Sequence, residues 1–187
     1  TFSLIDSFDQ ATPTGLQLMT KSGKELSEAL MKLEQLAMHN ESMKHWQNIC
    51  AIDLNFGCPS KDIVNIGAGP ALLKRKTKLL EIFKVLRQWK DSTSLKNIQA
   101  VGCKIRLGLN PYEVSNKVYM SVVDLANEAQ LDYLTVHARH GIQKSSEPAT
   151  WEKIKEIKAI AQMPIIANGD IWTRADMERV MQMTHCD

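Results

Sequence analysis

The residues best able to do chemistry gather in short segments, and one of these combines a thiol, an amide and a carboxylate. Residues 51 to 59 read AIDLNFGCP. As a strand, period-two geometry puts Ala51, Asp53 and Asn55 on one face and Ile52 and Leu54 on the other. Gly57, Cys58 and Pro59 then break the strand, leaving the Cys58 thiol just past its C-terminal end. A cysteine with a pKa of about 8.5 is still protonated near neutral pH, so Cys58 is a candidate proton donor. The plainer reading is a core strand ending in a tight turn, with Cys58 a small buried hydrophobe. These nine residues leave both readings open. Further along come Lys104 and Arg106, then Thr135, His137 and Arg139, then Asn168, Gly169 and Asp170, with Gln17 ahead of them all.

The elements that must position these groups alternate regularly. Residues 1 to 14 read as a loop and 15 to 19 as a strand. Ser22 and Glu25 form an S-x-x-E capping box, followed by Leu26, Leu30, Leu33 and Leu36 at helical spacing to about His39. A polar connector leads to the strand 50–55. A loop with Gly67-Ala-Gly-Pro70 precedes a helix through Leu79, Ile82, Phe83, Leu86 and Trp89. The strand 100–107 is followed by a helix opened by Asn110-Pro111, with Val118, Val122, Leu125 and Ala129 as its buried stripe. The strand 131–136 leads into His137-Ala-Arg-His140. A helix through Trp151, Ile154, Ile157 and Ala161 precedes the strand 164–170. Thr173 and Asp176 open the last helix, with Met177, Val180 and Met181 on its inner side and Met183 at the core or its edge.

Five strand–helix units without hairpin signals imply a parallel sheet with helical crossovers. Each strand has an aliphatic face and, towards its C-terminal end, polar side chains on the other. A sheet covered by helices on both faces would carry near-continuous apolar strands. Polar groups gathered at the C-terminal ends of successive parallel strands are what a (β/α)8 TIM barrel presents as its active-site face. The expected fold is therefore α/β, a partial barrel of about five units lacking the N-terminal strands and the last strand. The whole of 1–187 forms part of one catalytic domain. The start at Thr1 and the stop at Asp187, just after a helical pattern, mark the chain as a piece of a longer protein.

With 187 residues, 44% hydrophobic content, 24% charged residues and a net charge of +2, the chain is neither disordered nor an overwhelmingly basic nucleic-acid binder. Cys50, Cys58, Cys103 and Cys186 include no C-x-x-C pair, which favours free thiols, a reducing cytoplasmic setting and no metal site. Cys50, Cys103 and Cys186 are taken as packing. No apolar run approaches the ~20 residues of a membrane span.

Several segments together resemble the dihydrouridine synthases, flavin enzymes that reduce uridine to dihydrouridine in tRNA. The matching pieces are DLNFGCP at 53–59, GAGPALL at 67–73, KIRLG at 104–108, HAR at 137–139 and ANGD at 167–170, in the family's order and approximate spacing. The resemblance implies that Cys58 donates a proton to the uracil ring and that Asn55, Arg106 and Arg139 serve the substrate, Asn55 also shaping the flavin environment. It implies that Gln17, Lys104 and His137 contact FMN and that Asn168, Gly169 and Asp170 begin the FMN phosphate site. It further implies NADPH as reductant, tRNA as partner and a monomer. The threonine usual after the family's H-x-R is His140 here, and the usual acid-proline after the double leucine is replaced by Lys74-Arg75-Lys76; neither position is assigned a role. The family's C-terminal helical RNA-binding domain is absent from this sequence.

The chemistry suits these residue types. Saturating the uracil C5–C6 bond takes a hydride at one carbon and a proton at the other. Side chains deliver no hydride, so a reduced flavin must. Lys104 would place a fixed positive charge where electron density builds, backbone N–H groups at a glycine and helix start suit a phosphate, and a base in structured RNA must be unstacked to enter. Other readings compete. His137 alone would pass for a satisfied buried histidine, and Lys104 and Arg106 could form a structural ion pair with Asp53. Lys74, Arg75, Lys76 and Lys78 could track RNA phosphates or form a solvated face. An FMN barrel acting on a free pyrimidine, of the dihydroorotate or dihydropyrimidine dehydrogenase kind, and a non-catalytic RNA-binding barrel are the alternative functions.

Overall fold

A computed structural model of the chain describes residues 12–39 and 48–187. Most of the N-terminal loop and of the connector before the second strand lies outside these residues. Five parallel strands, β1 (Thr14–Leu18), β2 (Ile49–Phe56), β3 (Ala100–Arg106), β4 (Tyr133–His137) and β5 (Ile165–Asn168), pair in the order β1-β2-β3-β4-β5. Sequential order means that every crossover steps the same way. With the uniform handedness of such connections, all helices then fall on one side of the sheet. The result is an arc of a barrel, open at both edges.

Register carries the polar face intact from strand to strand. Gln17 sits opposite Asp53, Asn55 opposite Lys104, Arg106 opposite His137, and His137 opposite Asn168. The other face is dry. Ile52, Leu54, Phe56, Val101, Cys103, Ile105, Leu134 and Val136 are fully buried against helices. Those helices are α1 (Gly23–His39), α3 (Lys76–Ser92), α5 (Val118–Glu128), α6 (Glu152–Lys158) and α7 (Arg174–Thr184). Phe83 of α3 meets Phe56 edge to face with ring centroids 5.9 Å apart, a geometry worth roughly 0.5–1.5 kcal/mol beyond area burial.

Local structure departs from the sequence expectation in four places. A short helix α2 (Lys61–Asn65) follows the cysteine turn where a loop was expected. The single helix expected after Asn110-Pro111 is two, α4 (Pro111–Ser115) and α5, because Lys117 takes a left-handed conformation (φ 50°) and breaks the run. The restart turns the buried stripe of α5 to Tyr119, Val122, Val123 and Ala126. On α1, Ser22 Oγ accepts from Glu25 N at 3.2 Å as a cap should, but the Glu25 carboxylate turns back to Lys21 N and the Thr20 hydroxyl. The last helix has its full capping box, Thr173 with Asp176, and buries Val180 and Thr184. Met177 and Met181, expected inside, are 44% and 43% exposed. The inward side of α7 is set by its packing on α6.

Candidate active site

Asn55 organises the cysteine turn. Its Oδ1 accepts hydrogen bonds from the backbone N–H of both Gly57 and Cys58 at 3.0 Å. Its Nδ2 donates to Gln17 Oε1 at 2.8 Å, and Gln17 Nε2 donates in turn to Asp53 Oδ2. A carboxylate only accepts, so Asp53 sets the direction of both amides and leaves the Asn55 oxygen free for the turn. Burial pushes the Asp53 carboxyl up, against the opposing pull of Gln17, Tyr133 and Lys104. Its Oδ1 is buried without a hydrogen bond, and the Tyr133 phenol, its ionisation suppressed by burial and by this carboxylate, lies beside it.

Two further contacts hold Cys58 in place. Arg106 Nε donates to Gly57 O at 2.9 Å and its Nη1 to His140 O at 3.2 Å, tying the cysteine turn to the loop after β4. From below, Gly69 (φ 58°) begins a 3-10 turn over Gly69–Leu72, and a Cβ there would stand 2.9 Å from Ile63 and 3.0 Å from Cys58 O. The GAGP segment thus lies directly against the cysteine turn. Cys58 itself is half-buried with a free thiol.

Lys104 sits between these groups and His137 on the polar face. Among the described residues its ammonium makes no hydrogen bond or ion pair, and neither Lys104 nor Arg106 forms the ion pair with Asp53 considered from sequence. Burial and the neighbouring Arg106 charge lower its pKa, with Asp53 opposing. A half-buried ammonium with no ion pair among the described residues can meet electron-rich ligand atoms.

At the far end a cleft of about 320 Å³ is lined by His137, Arg139, Asn168, Gly169, Asp170 and Trp172, among others. Burial, then the charges of Arg106, Lys104 and Arg139, push the His137 pKa down to about 4, Asp170 pulling the other way. Gly169 (φ 107°) passes so close that a Cβ would stand 2.9 Å from His137 Cδ2. Its carbonyl accepts from Trp151 Nε1 at 2.8 Å, which pins the turn. Asp170 is held by Arg139 in a bidentate pair at 2.6 and 2.7 Å and accepts from Ala149 N at 2.7 Å; these bonds hold its carboxyl below the usual range. Gln17, Asn55, Cys58, Lys104, Arg106, His137, Asn168 and Gly169 therefore border one continuous polar face. Arg139, expected at the substrate, lines the cleft but is spent largely on protein partners. It is only 6% exposed, and its donors go to Asp170, Glu147 O, Ser145 O and His137. Trp172, 86% exposed on the cleft rim, was missed in the sequence, where it stands two residues beyond Asp170 in no motif. No group of three or more His, Cys, Asp or Glu among the described residues is placed to hold a metal ion, and no described helix is long and apolar enough to cross a membrane.

The polar face thus carries the Cys58 turn, the Lys104 ammonium and the Gly169 turn. The profile of the family described as "Dihydrouridine synthase (Dus)" matches residues 2–187. The chain is 32% identical to a tRNA-dihydrouridine(16) synthase of Shewanella oneidensis over 94% of its length and 50% of that protein's. It is 32% identical to the one of Vibrio vulnificus, over 94% of this chain and 49% of the relative. With the one of Vibrio parahaemolyticus it shares 40% identity over 73% of this chain and 40% of the relative. The chain thus spans about half the length of these relatives. A family match over residues 2–187, which takes in every described residue, together with relatives 32% identical over 94% of the chain, places the chain in the dihydrouridine synthase family.

Proposed function

We propose that the protein carrying this chain reduces uridine in tRNA to 5,6-dihydrouridine with FMN as its cofactor and NADPH as reductant. The observation that carries this reading is the Asn55-held cysteine turn facing an unpaired, half-buried lysine across one polar strand face. When bound, reduced FMN supplies the hydride to one carbon of the uracil C5–C6 bond. Cys58 gives its thiol proton to the other carbon, and water restores the thiol. Lys104 would offset negative charge on the flavin ring, which suits an ammonium that makes no ion pair among the described residues. Gln17, with its amide direction set by Asp53, and His137 border the flavin; Asn168 and Gly169 begin the phosphate site with backbone N–H groups. Asn55 and Arg106 fix Cys58 relative to the base and so contribute orientation.

The three relatives are tRNA-dihydrouridine(16) synthases, so position 16 is the first to map. The discriminating experiment gives the whole protein FMN, NADPH and either unmodified tRNA or free uracil and orotate. Dihydrouridine in tRNA with no turnover of the free bases is the expected result. Turnover of a free base without tRNA modification would move the assignment to the pyrimidine dehydrogenases.

A further inference from the structure

Arg139 is buried among protein acceptors, and one of its nitrogens reaches His137. Its Nε donates to Glu147 O at 2.8 Å and its Nη2 to Ser145 O at 3.2 Å and to both oxygens of Asp170. Its remaining nitrogen, Nη1, stands 3.3 Å from His137 Nε2. A guanidinium carries five N–H donors and no acceptor, and it stays charged throughout the accessible pH range. In that pair His137 Nε2 must therefore accept. An imidazole nitrogen that accepts carries no proton, so the ring's proton sits on Nδ1.

We infer that Arg139 is a positioning residue which fixes His137 as the Nδ1–H tautomer, so that His137 presents a hydrogen-bond donor, and no acceptor, to an oxygen of the bound ligand. The clamp is rigid for reasons already described. Asp170 is bidentate on Arg139 and anchored by Ala149 N, and the Gly169 turn passes close enough that even a methyl there would stand 2.9 Å from Cδ2 and 3.2 Å from Nε2 of the imidazole. Rotating the ring to exchange its nitrogens would drive a carbon against the guanidinium and forfeit the Nη1 contact. The charges around the ring, Arg106, Lys104 and Arg139 against Asp170, also keep it from taking a second proton near neutral pH. His137 is therefore no general acid, and the division of labour leaves the transferred proton to Cys58. The ligand class follows: the group at His137 Nδ1 is an oxygen acceptor, a flavin carbonyl or phosphate oxygen, in keeping with the FMN reading on which this identification rests.

The tautomer itself is testable without flavin. Histidine nitrogen-15 spectra of the whole protein, with the His137 signals assigned by their loss in His137→Asn, should show a protonated Nδ1 and a bare Nε2 at pH 7. A protonated Nε2 would overturn the inference outright, whatever the cofactor is. Arg139→Met should release the ring to a mixture of tautomers, and an unchanged Nδ1–H spectrum would show that Arg139 does not set it. The wild-type spectrum keeps the test decisive if that variant does not fold. With added FMN, His137→Asn, whose Nδ2–H stands where Nδ1–H was, should keep binding within a few-fold. His137→Gln, whose donor reaches the Nε2 position, should lose roughly tenfold or more, the size of one hydrogen bond. Equal losses would contradict a donor at Nδ1, while no FMN binding by the wild type would remove the flavin and leave the tautomer standing.

Discussion

Replacing Asn55 by alanine should loosen the cysteine turn before it does anything else. Three hydrogen bonds disappear, two from the Gly57 and Cys58 amides and one to Gln17. At a net ~0.5–1.5 kcal/mol each for neutral partners, and with the site only half-buried, the loss should be about 2–3 kcal/mol. Part of that loss is local, because the turn keeps Arg106 on Gly57 O and the Gly69 turn beneath it. The reacting thiol then wanders by something like an ångström, which costs roughly 100-fold in turnover for a group that must meet a ring carbon. Two assays separate these effects. Urea denaturation followed by circular dichroism reads the stability, and peptide mapping after timed iodoacetamide treatment reads the accessibility of Cys58 alone. The expected result is a lower midpoint and faster alkylation of Cys58, with Cys103 and Cys186, both buried, still protected. Asn55→Asp sharpens the test. It keeps two acceptors for the turn but sets a carboxylate against Gln17 Oε1, and Gln17 cannot turn its amide without facing Asp53 with oxygen. Turn protection should survive in Asn55→Asp while FMN affinity falls. A variant Asn55→Ala with unchanged midpoint and unchanged Cys58 alkylation would refute the reasoning.

Gly169→Ala places a methyl 2.9 Å from His137 Cδ2 at a backbone angle that side chains avoid, so it should cost about 1–3 kcal/mol of stability and weaken FMN binding, read by thermal unfolding and flavin fluorescence. Lys104→Met removes an ammonium that makes no ion pair among the described residues, so stability should hold or rise slightly while FMN affinity falls at least tenfold; a stability loss with intact FMN binding would make Lys104 structural. Glu156, held by Lys153, Tyr119 and Lys117, has its pKa lowered to about 2. A depressed carboxyl stabilises the fold above its unfolded pKa of about 4.3 and loses that contribution as pH falls towards 2; partial exposure reduces it to about 1–2 kcal/mol. Glu156→Gln should therefore be less stable than wild type at pH 7, and the difference should shrink by more than half at pH 2.5, in urea titrations at the two pH values.

The strand faces were legible because period-two alternation survives in short segments: Asp53 and Asn55, Lys104 and Arg106, and His137 all lie on the polar face as their parity requires. Which of those polar groups serve a ligand was not legible, since that depends on partners distant in sequence. Arg139 looks like a substrate residue in an H-x-R string, yet its partners lie 6, 8 and 31 positions away and use it up. The staple made by Asn55 was equally hidden, because a side-chain oxygen two and three residues before a turn is an ordinary feature until the turn carries a thiol. The split between α4 and α5 rests on one left-handed lysine, which no periodicity announces. The positions of Met177 and Met181 were misjudged because helical spacing identifies a stripe without saying what covers it.

The most direct measurement is the dihydrouridine content of unmodified tRNA after incubation with the whole protein, FMN and NADPH, beside the same protein with Cys58→Ala. The account expects dihydrouridine with the wild type and a loss of about 100-fold or more in the variant, the scale of a positioned general acid. Undiminished formation in Cys58→Ala, with FMN bound equally in both, would contradict the assignment of the transferred proton to Cys58.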